Sequence, residues 1–258
     1  MRRRPFLFAA LIAAILAAVA ASVAIAGPVV TGPDGNTQSI DSLIGPKKLS
    51  KKELTPATLK VTTLTTSTTH ANGVPSPAVQ ATIDFDKNAV LYTKGLPTCD
   101  PAKLQSQSTE NAERACGRAK IGSGEATAFL PVGEKVYLVE QTVTAFNGVP
   151  KGGKPVVILH TYGTTPLQTS LVLIGTVSRF NKEGYGPRLD LQIPLLPNGG
   201  ALKEFEVKIN KKWRYKGVRR SFISAKCPNS KKLKARGKFT FKDGESLTAY
   251  SKQTCKQA

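Results

Sequence analysis

This 258-residue chain is short of acidic side chains and of histidine: 17 Asp and Glu face 37 Lys and Arg, and there are two histidines. That shortage narrows the chemistry available before any motif is sought. Cysteine is confined to Cys99, Cys116, Cys227 and Cys255, with no CxxC and with neither His70 nor His160 near them in sequence, so a zinc ligand set is not expected. There is no Walker loop, no dinucleotide fingerprint after a strand, no HExxH and no GxSxG elbow. No internal repeat of fixed period is found and strands do not alternate with helices, which argues against solenoids and parallel α/β folds.

What the chain has instead is positive charge and period-two patterning. The formal charge is +20 with a pI near 10.0, the footprint of a polyanionic partner such as an acidic polysaccharide or a teichoic-type polymer. The N-terminus reads as an export signal. Arg2, Arg3 and Arg4 form a basic region, Phe6 to Ile25 is apolar, and Ala24-Ile25-Ala26 is a small-x-small cleavage site. The apolar run is also long enough to span a bilayer, so a membrane-tethered, uncleaved anchor is the alternative. Intracellular nucleic acid is therefore not an expected partner. In an oxidising space four cysteines make two disulfides. Of three connectivities, Cys99–Cys116 and Cys227–Cys255 are favoured because each pair lies within one local unit.

Residues 27–56 are rich in Gly, Pro, Ser, Thr and Lys and read as a flexible lead-in to a single β domain at 57–258. From Thr58 the period becomes two: Leu59 and Val61, then Val79, Ala81, Ile83 and Phe85, alternate with polar residues and suggest a strand pair. Asp100-Pro101 starts a short helical insert at about 100–116. Strands then follow at short intervals, with breaks expected at Asn147-Gly148, Gly163 to Pro166, Gly184 to Pro187, Asn198 to Gly200 and Asp243-Gly244. Val156–Leu159 and Leu171–Ile174 are continuously apolar, as strands covered on both faces would be. The expected fold is all-β, a β-sandwich-like antiparallel domain with a barrel as the other option, carrying one helical insert and preceded by the signal helix.

Gly95-Leu96-Pro97-Thr98-Cys99 with Cys116, Ala145-Phe146-Asn147-Gly148, His160-Thr161-Tyr162-Gly163-Thr164 and Arg219 to Pro228 (RRSFISAKCP) form an ordered pattern. It resembles a family of exported actinobacterial proteins. The resemblance implies export and paired cysteines; the family has no assigned activity, so it supplies no catalytic residue.

Candidate chemistry in the residues themselves is thin. Ser123 lies in Gly122-Ser123-Gly124 without a strand-to-helix elbow, His160 ends an apolar strand as a backbone-bonded histidine would, and Glu204 and Glu206 share a strand face among lysines. Asp84-Phe85-Asp86 begins like a calcium loop but lacks the glycine and glutamate that would complete one. Neither catalysis nor a cofactor is expected. The remaining signal is cationic. In Lys211–Lys216, Lys212, Arg214 and Lys216 alternate with Trp213 and Tyr215; Arg219 and Arg220 follow; and Lys234, Arg236 and Lys238 share one strand face. Those eight cations are the candidate polyanion site of a secreted or envelope-associated, non-enzymatic protein. A structural module with incidental charge is the alternative, and an unrecognised secreted hydrolase a more remote one.

Overall fold

The computed structural model describes residues 27–258, so the expected signal helix (1–26) lies outside the described residues. The first six strands are β1 (Val30–Thr31), β2 (Asn36–Gly45), β3 (Lys48–Leu49), β4 (Thr55–Ser67), β5 (Ala78–Asp86) and β6 (Ala89–Leu91). A short helix α1 (Thr109–Cys116) precedes β7 (Lys120–Val132), β8 (Lys135–Lys151), β9 (Lys154–Gly163), β10 (Thr169–Arg179) and β11 (Tyr185–Gln192). Then come β12 (Ala201–Ile209), β13 (Lys212–Tyr215) and β14 (Val218–Ser221). The last four are β15 (Ile223–Ala225), β16 (Lys232–Phe241), β17 (Ser246–Thr254) and β18 (Lys256–Gln257). The all-β antiparallel class with one short helix is therefore what the chain adopts. Its architecture is the barrel rather than the sandwich, because no break in the ladder divides the strands into two sheets. One path runs β2-β4-β12-β7-β8-β9-β10-β11-β5-β16-β17 and nearly closes on itself.

Closure obeys a parity constraint. All hydrogen-bonded neighbours along that eleven-strand path are antiparallel, so an odd number of strands leaves β2 and β17 running in the same direction. Side chains, not a backbone ladder, join them. The Gln253 amide accepts from the Ile44 N–H (2.5 Å) and donates to the Ile44 carbonyl (2.7 Å), taking the place of a strand residue. Ser251 Oγ accepts from the Ser42 N–H and donates to Asp41 Oδ1. At the start of both strands Asn36 Nδ2 donates to Glu245. Beyond Gly45 the same seam becomes a true parallel pair, β18 on β3, beside the Cys227–Cys255 disulfide.

The interior is apolar and the exterior charged. Ala57, Leu59 and Val61 of β4 and Leu233, Ala235 and Phe239 of β16 point inward and are buried, while Lys60, Lys232 and Lys238 point outward. That is the inverse of the polarity with which barrels span membranes. Among the described residues no helix is long and apolar enough to cross one. One end of the barrel is plugged by β6 and β15, which pair with each other and hold Leu91, Phe222 and Ile223 beneath the core. Strand direction puts the connections 68–77, 164–168 and 193–200 at the opposite end. Outside the wall, the Cys99–Cys116 disulfide pins α1 over β8 and β9, burying Leu104, Ala112, Phe146 and Ile158 in a separate cluster. Val156–Leu159 is thus covered on both faces, whereas Ile174 at the end of the second apolar run is exposed. Both disulfides join the sequential partners, and they belong to an oxidising, non-cytoplasmic compartment.

Several expectations are corrected. Residues 27–56 are not a flexible lead-in: β2 is a barrel strand with Asn36, Gln38 and Ile40 fully buried. Polar inward residues hid it, and they are satisfied by partners such as Thr65, whose hydroxyl donates to Gln38. The strands at Leu59 and Val79 do not pair, since β4 lies between β2 and β12 and β5 between β11 and β16. Asn147-Gly148 is not a turn. It lies inside β8, where Asn147 Nδ2 donates to the Pro97 carbonyl and the Cys99 N–H donates back to the Asn147 carbonyl, so the pair anchors the disulfide segment. β12 ends at Ile209, where the N–H groups of Asn210 and Lys211 both donate to the Ile121 carbonyl.

Substituting Gln253→Leu strands both polar groups of Ile44 at a buried seam and is expected to cost about 2–3 kcal/mol in urea unfolding, with Thr254→Ala, an exposed neighbour, leaving stability unchanged. Equal effects of the two would show that the amide does not hold the seam.

Candidate anion-binding hairpin

β13 and β14 form a two-stranded hairpin of their own, apart from the barrel ladder. Its two-residue turn, Lys216-Gly217, has positive φ at both positions (49° and 78°), the geometry that matches the right-handed twist of flanking strands. The register sets Trp213 opposite Arg220, Tyr215 opposite Val218 and Arg214 opposite Arg219. Facing residues in a pleated pair share a face. One face therefore carries Trp213, Tyr215, Val218 and Arg220, and the other carries Lys212, Arg214 and Arg219.

The aromatic face fastens the hairpin to the plugged end of the barrel. Trp213 stacks on Tyr92 (centroids 5.9 Å apart) and its Nε1 donates to the Lys94 carbonyl. The Tyr215 ring lies 2.0 Å from where a Cβ on Gly95 would stand, so that approach requires glycine. Lys212, Arg214 and Lys216 are all exposed, between half-buried Trp213 and Tyr215.

The eight expected cations separate into three environments. Lys212, Arg214, Lys216 and Arg219 are exposed, and among the described residues none is in an ion pair. Arg220 is not a free surface cation: it is half-buried with its guanidinium 4.9 Å from the Tyr92 ring centroid. Lys234 and Arg236 also leave the candidate site, whereas Lys238 stays exposed on the barrel wall. Register explains why. β16 lies beside β5, which sets Arg236 opposite Asp84, and β11 on the other side sets Arg188 opposite the same residue. Asp84, 2 % exposed, takes Arg188 bidentately (2.6 and 2.9 Å) and Arg236 Nε at 2.8 Å. Arg236 also bonds Glu183, Lys234 Nζ donates to the Glu183 carbonyl, and both cations lie over Tyr185. No single strand reveals that cluster, because register brings its members from three strands. The two cationic segments consequently form no shared plate of adjacent strands.

The other chemical candidates are separated. His160 is fully buried on the outer face of β9, where Nε2 donates to the Gln107 carbonyl at 3.0 Å; burial lowers its pKa and keeps it neutral. Ser123 pairs with Thr144, and Thr144 with His160, so two strand spacings, about 10 Å, part Ser123 from the imidazole. Glu206 is in an ion pair with Lys60. Asp34, Asp243 and Glu245 bring carboxylates within 4.8 Å of one another, but Asn36 Nδ2 bridges Asp243 and Glu245, which gives that cluster a role in the seam. Comparison with family models, curated proteins and solved structures returned no match for the chain.

Burial raises the Asp84 pKa, but hydrogen bonds from Arg188 and Arg236 outweigh it and hold the carboxyl below its usual 3.8. Its stabilisation is therefore complete above pH 3.8 and disappears as pH falls through the lowered folded value. Asp84→Asn is expected to cost about 3 kcal/mol near neutrality, and the gap to the unaltered protein should narrow progressively as pH falls below about 4. A gap unchanged at pH 2.5 would contradict the assignment.

Proposed function

We propose that the chain is an exported, non-catalytic module that associates with anionic envelope or extracellular polymers, of the teichoic or acidic-polysaccharide kind, through Lys212, Arg214, Lys216 and Arg219. The reading rests on one observation. Arg214 and Arg219 are held directly opposite on a two-stranded ribbon, and neither has a carboxylate partner among the described residues. Like charges facing across strands destabilise a hairpin, by up to about 1 kcal/mol. Where an arrangement lowers stability without a compensating contact, a ligand that supplies the missing charge is a sufficient reason for it.

The chemistry required is electrostatic only. Two guanidinium forks side by side suit phosphodiester or carboxylate oxygens, and Lys212 and Lys216 extend the positive strip at its two ends. Binding of a polymer of regularly spaced anions then proceeds by release of condensed counterions, without deep shape recognition.

Purified wall teichoic acid and polyglutamate, titrated against the protein at increasing salt, test this. Four engaged cations give a log–log slope of roughly −3. The double variant Arg214→Thr, Arg219→Thr is expected to halve that slope while raising the thermal midpoint. Salt-insensitive binding, or a double variant that binds both polymers as tightly as the parent, favours the module whose charge is incidental.

A further inference from the structure

The barrel interior holds a void of about 120 Å³, and apart from Thr63 its lining side chains are hydrocarbon: Leu59, Leu159, Leu191 and Val207 are among them. A smaller void of about 40 Å³ adjoins it, sharing Leu173, Ile193, Leu202 and Phe205, and reaches Pro77, Pro194 and Leu196 in the connections at the unplugged end. Along β12 the lining runs from Leu202 to Ile209, about 23 Å of strand at the usual rise per residue, and at the plugged end it is bounded by Phe222 and Ile223.

Two features separate this channel from a packing defect. The first is polar. Thr161 lines the outer void, is 4 % exposed, and its hydroxyl has no hydrogen-bond partner. Gln141, also lining that void, donates to Thr169. An orphaned hydroxyl in an apolar chamber is a destabilising element unless something polar reaches it. The second is the rim. Leu195 in the 193–200 connection, Leu167 in the β9–β10 turn and Val132 at the end of β7 are exposed at the same end of the barrel. Exposed apolar residues gathered around one opening mark where an apolar ligand enters.

We propose that the barrel is a binding site for a single-chain amphiphile: one unbranched hydrocarbon chain along the channel, its oxygen-bearing head beside Thr161 at the open end. A lining that extends along β12 favours a chain over a compact ring. The absence of any charged residue from either lining favours a head that hydrogen-bonds, such as a fatty alcohol or a protonated fatty acid. This site lies at the opposite end of the barrel from the basic hairpin, so either assignment can fail without the other.

The experiment uses the whole exported chain and titration calorimetry with straight-chain alcohols of four to ten carbons. Saturable one-to-one binding is expected, tightening about fourfold for each added methylene until the channel is full. Thr161→Val, which removes the hydroxyl at constant shape, is expected to weaken the alcohols about tenfold while leaving the fold intact. Val207→Phe and Leu173→Phe fill the channel and should abolish binding. If both unfold, the chain-length series on the unaltered protein decides. No saturation, affinity indifferent to chain length, benzene bound in place of chains, or full affinity in a folded filled variant would each overturn the proposal.

Discussion

Everything in this fold depends on how an odd number of antiparallel strands is made to close. Eleven strands bring β2 and β17 together in parallel, and a parallel pair at that point cannot continue the antiparallel pattern of the wall. The chain resolves the conflict with side chains: Gln253 answers both polar groups of Ile44, and Ser251 answers Ser42 and Asp41. Without those bonds two edges would stand open, each a template for pairing with other chains. With them the interior stays out of water, and the core formed by Ile40, Leu59, Val143 and Val207 becomes continuous around the barrel.

Closure also partitions function. Inward side chains define an apolar channel with an orphaned hydroxyl near its mouth, and outward ones carry the excess charge. The cations are not equivalent. Those beside β5 neutralise one buried carboxylate, and Arg214 and Arg219 on the β13–β14 hairpin have no carboxylate partner among the described residues. The proposed polymer site at the plugged end and the proposed chain site at the other would suit a protein that holds to an anionic matrix while exchanging an amphiphile. The two sites share only the barrel between them.

Much of this was legible in the sequence wherever neighbours along the chain determine the outcome. Period-two patterning located most strands, the Asp100-Pro101 cap marked the insert, and the parity of Lys212, Arg214 and Lys216 against Trp213 and Tyr215 gave the faces of the hairpin. What lay hidden depends on register between distant strands. Nothing near Asp84 announces Arg188 and Arg236, and nothing near Thr161 shows that its hydroxyl will lack a partner. β2 escaped because its inward face is polar at Asn36 and Gln38, which only the seam and Thr65 make affordable. Asn147-Gly148 misled for the converse reason: a turn-forming dipeptide was recruited to hold a disulfide segment against a strand.

Amide hydrogen exchange at the seam tests the closed barrel most directly. If Gln253 and Ser251 close it, the Ile44 and Ser42 amides, which have no backbone acceptor across the seam, will exchange as slowly as the ladder amides of β4. Exchange of both at the rate of a solvent-exposed strand edge would contradict the account, because an open seam leaves neither a dry channel nor a single continuous wall.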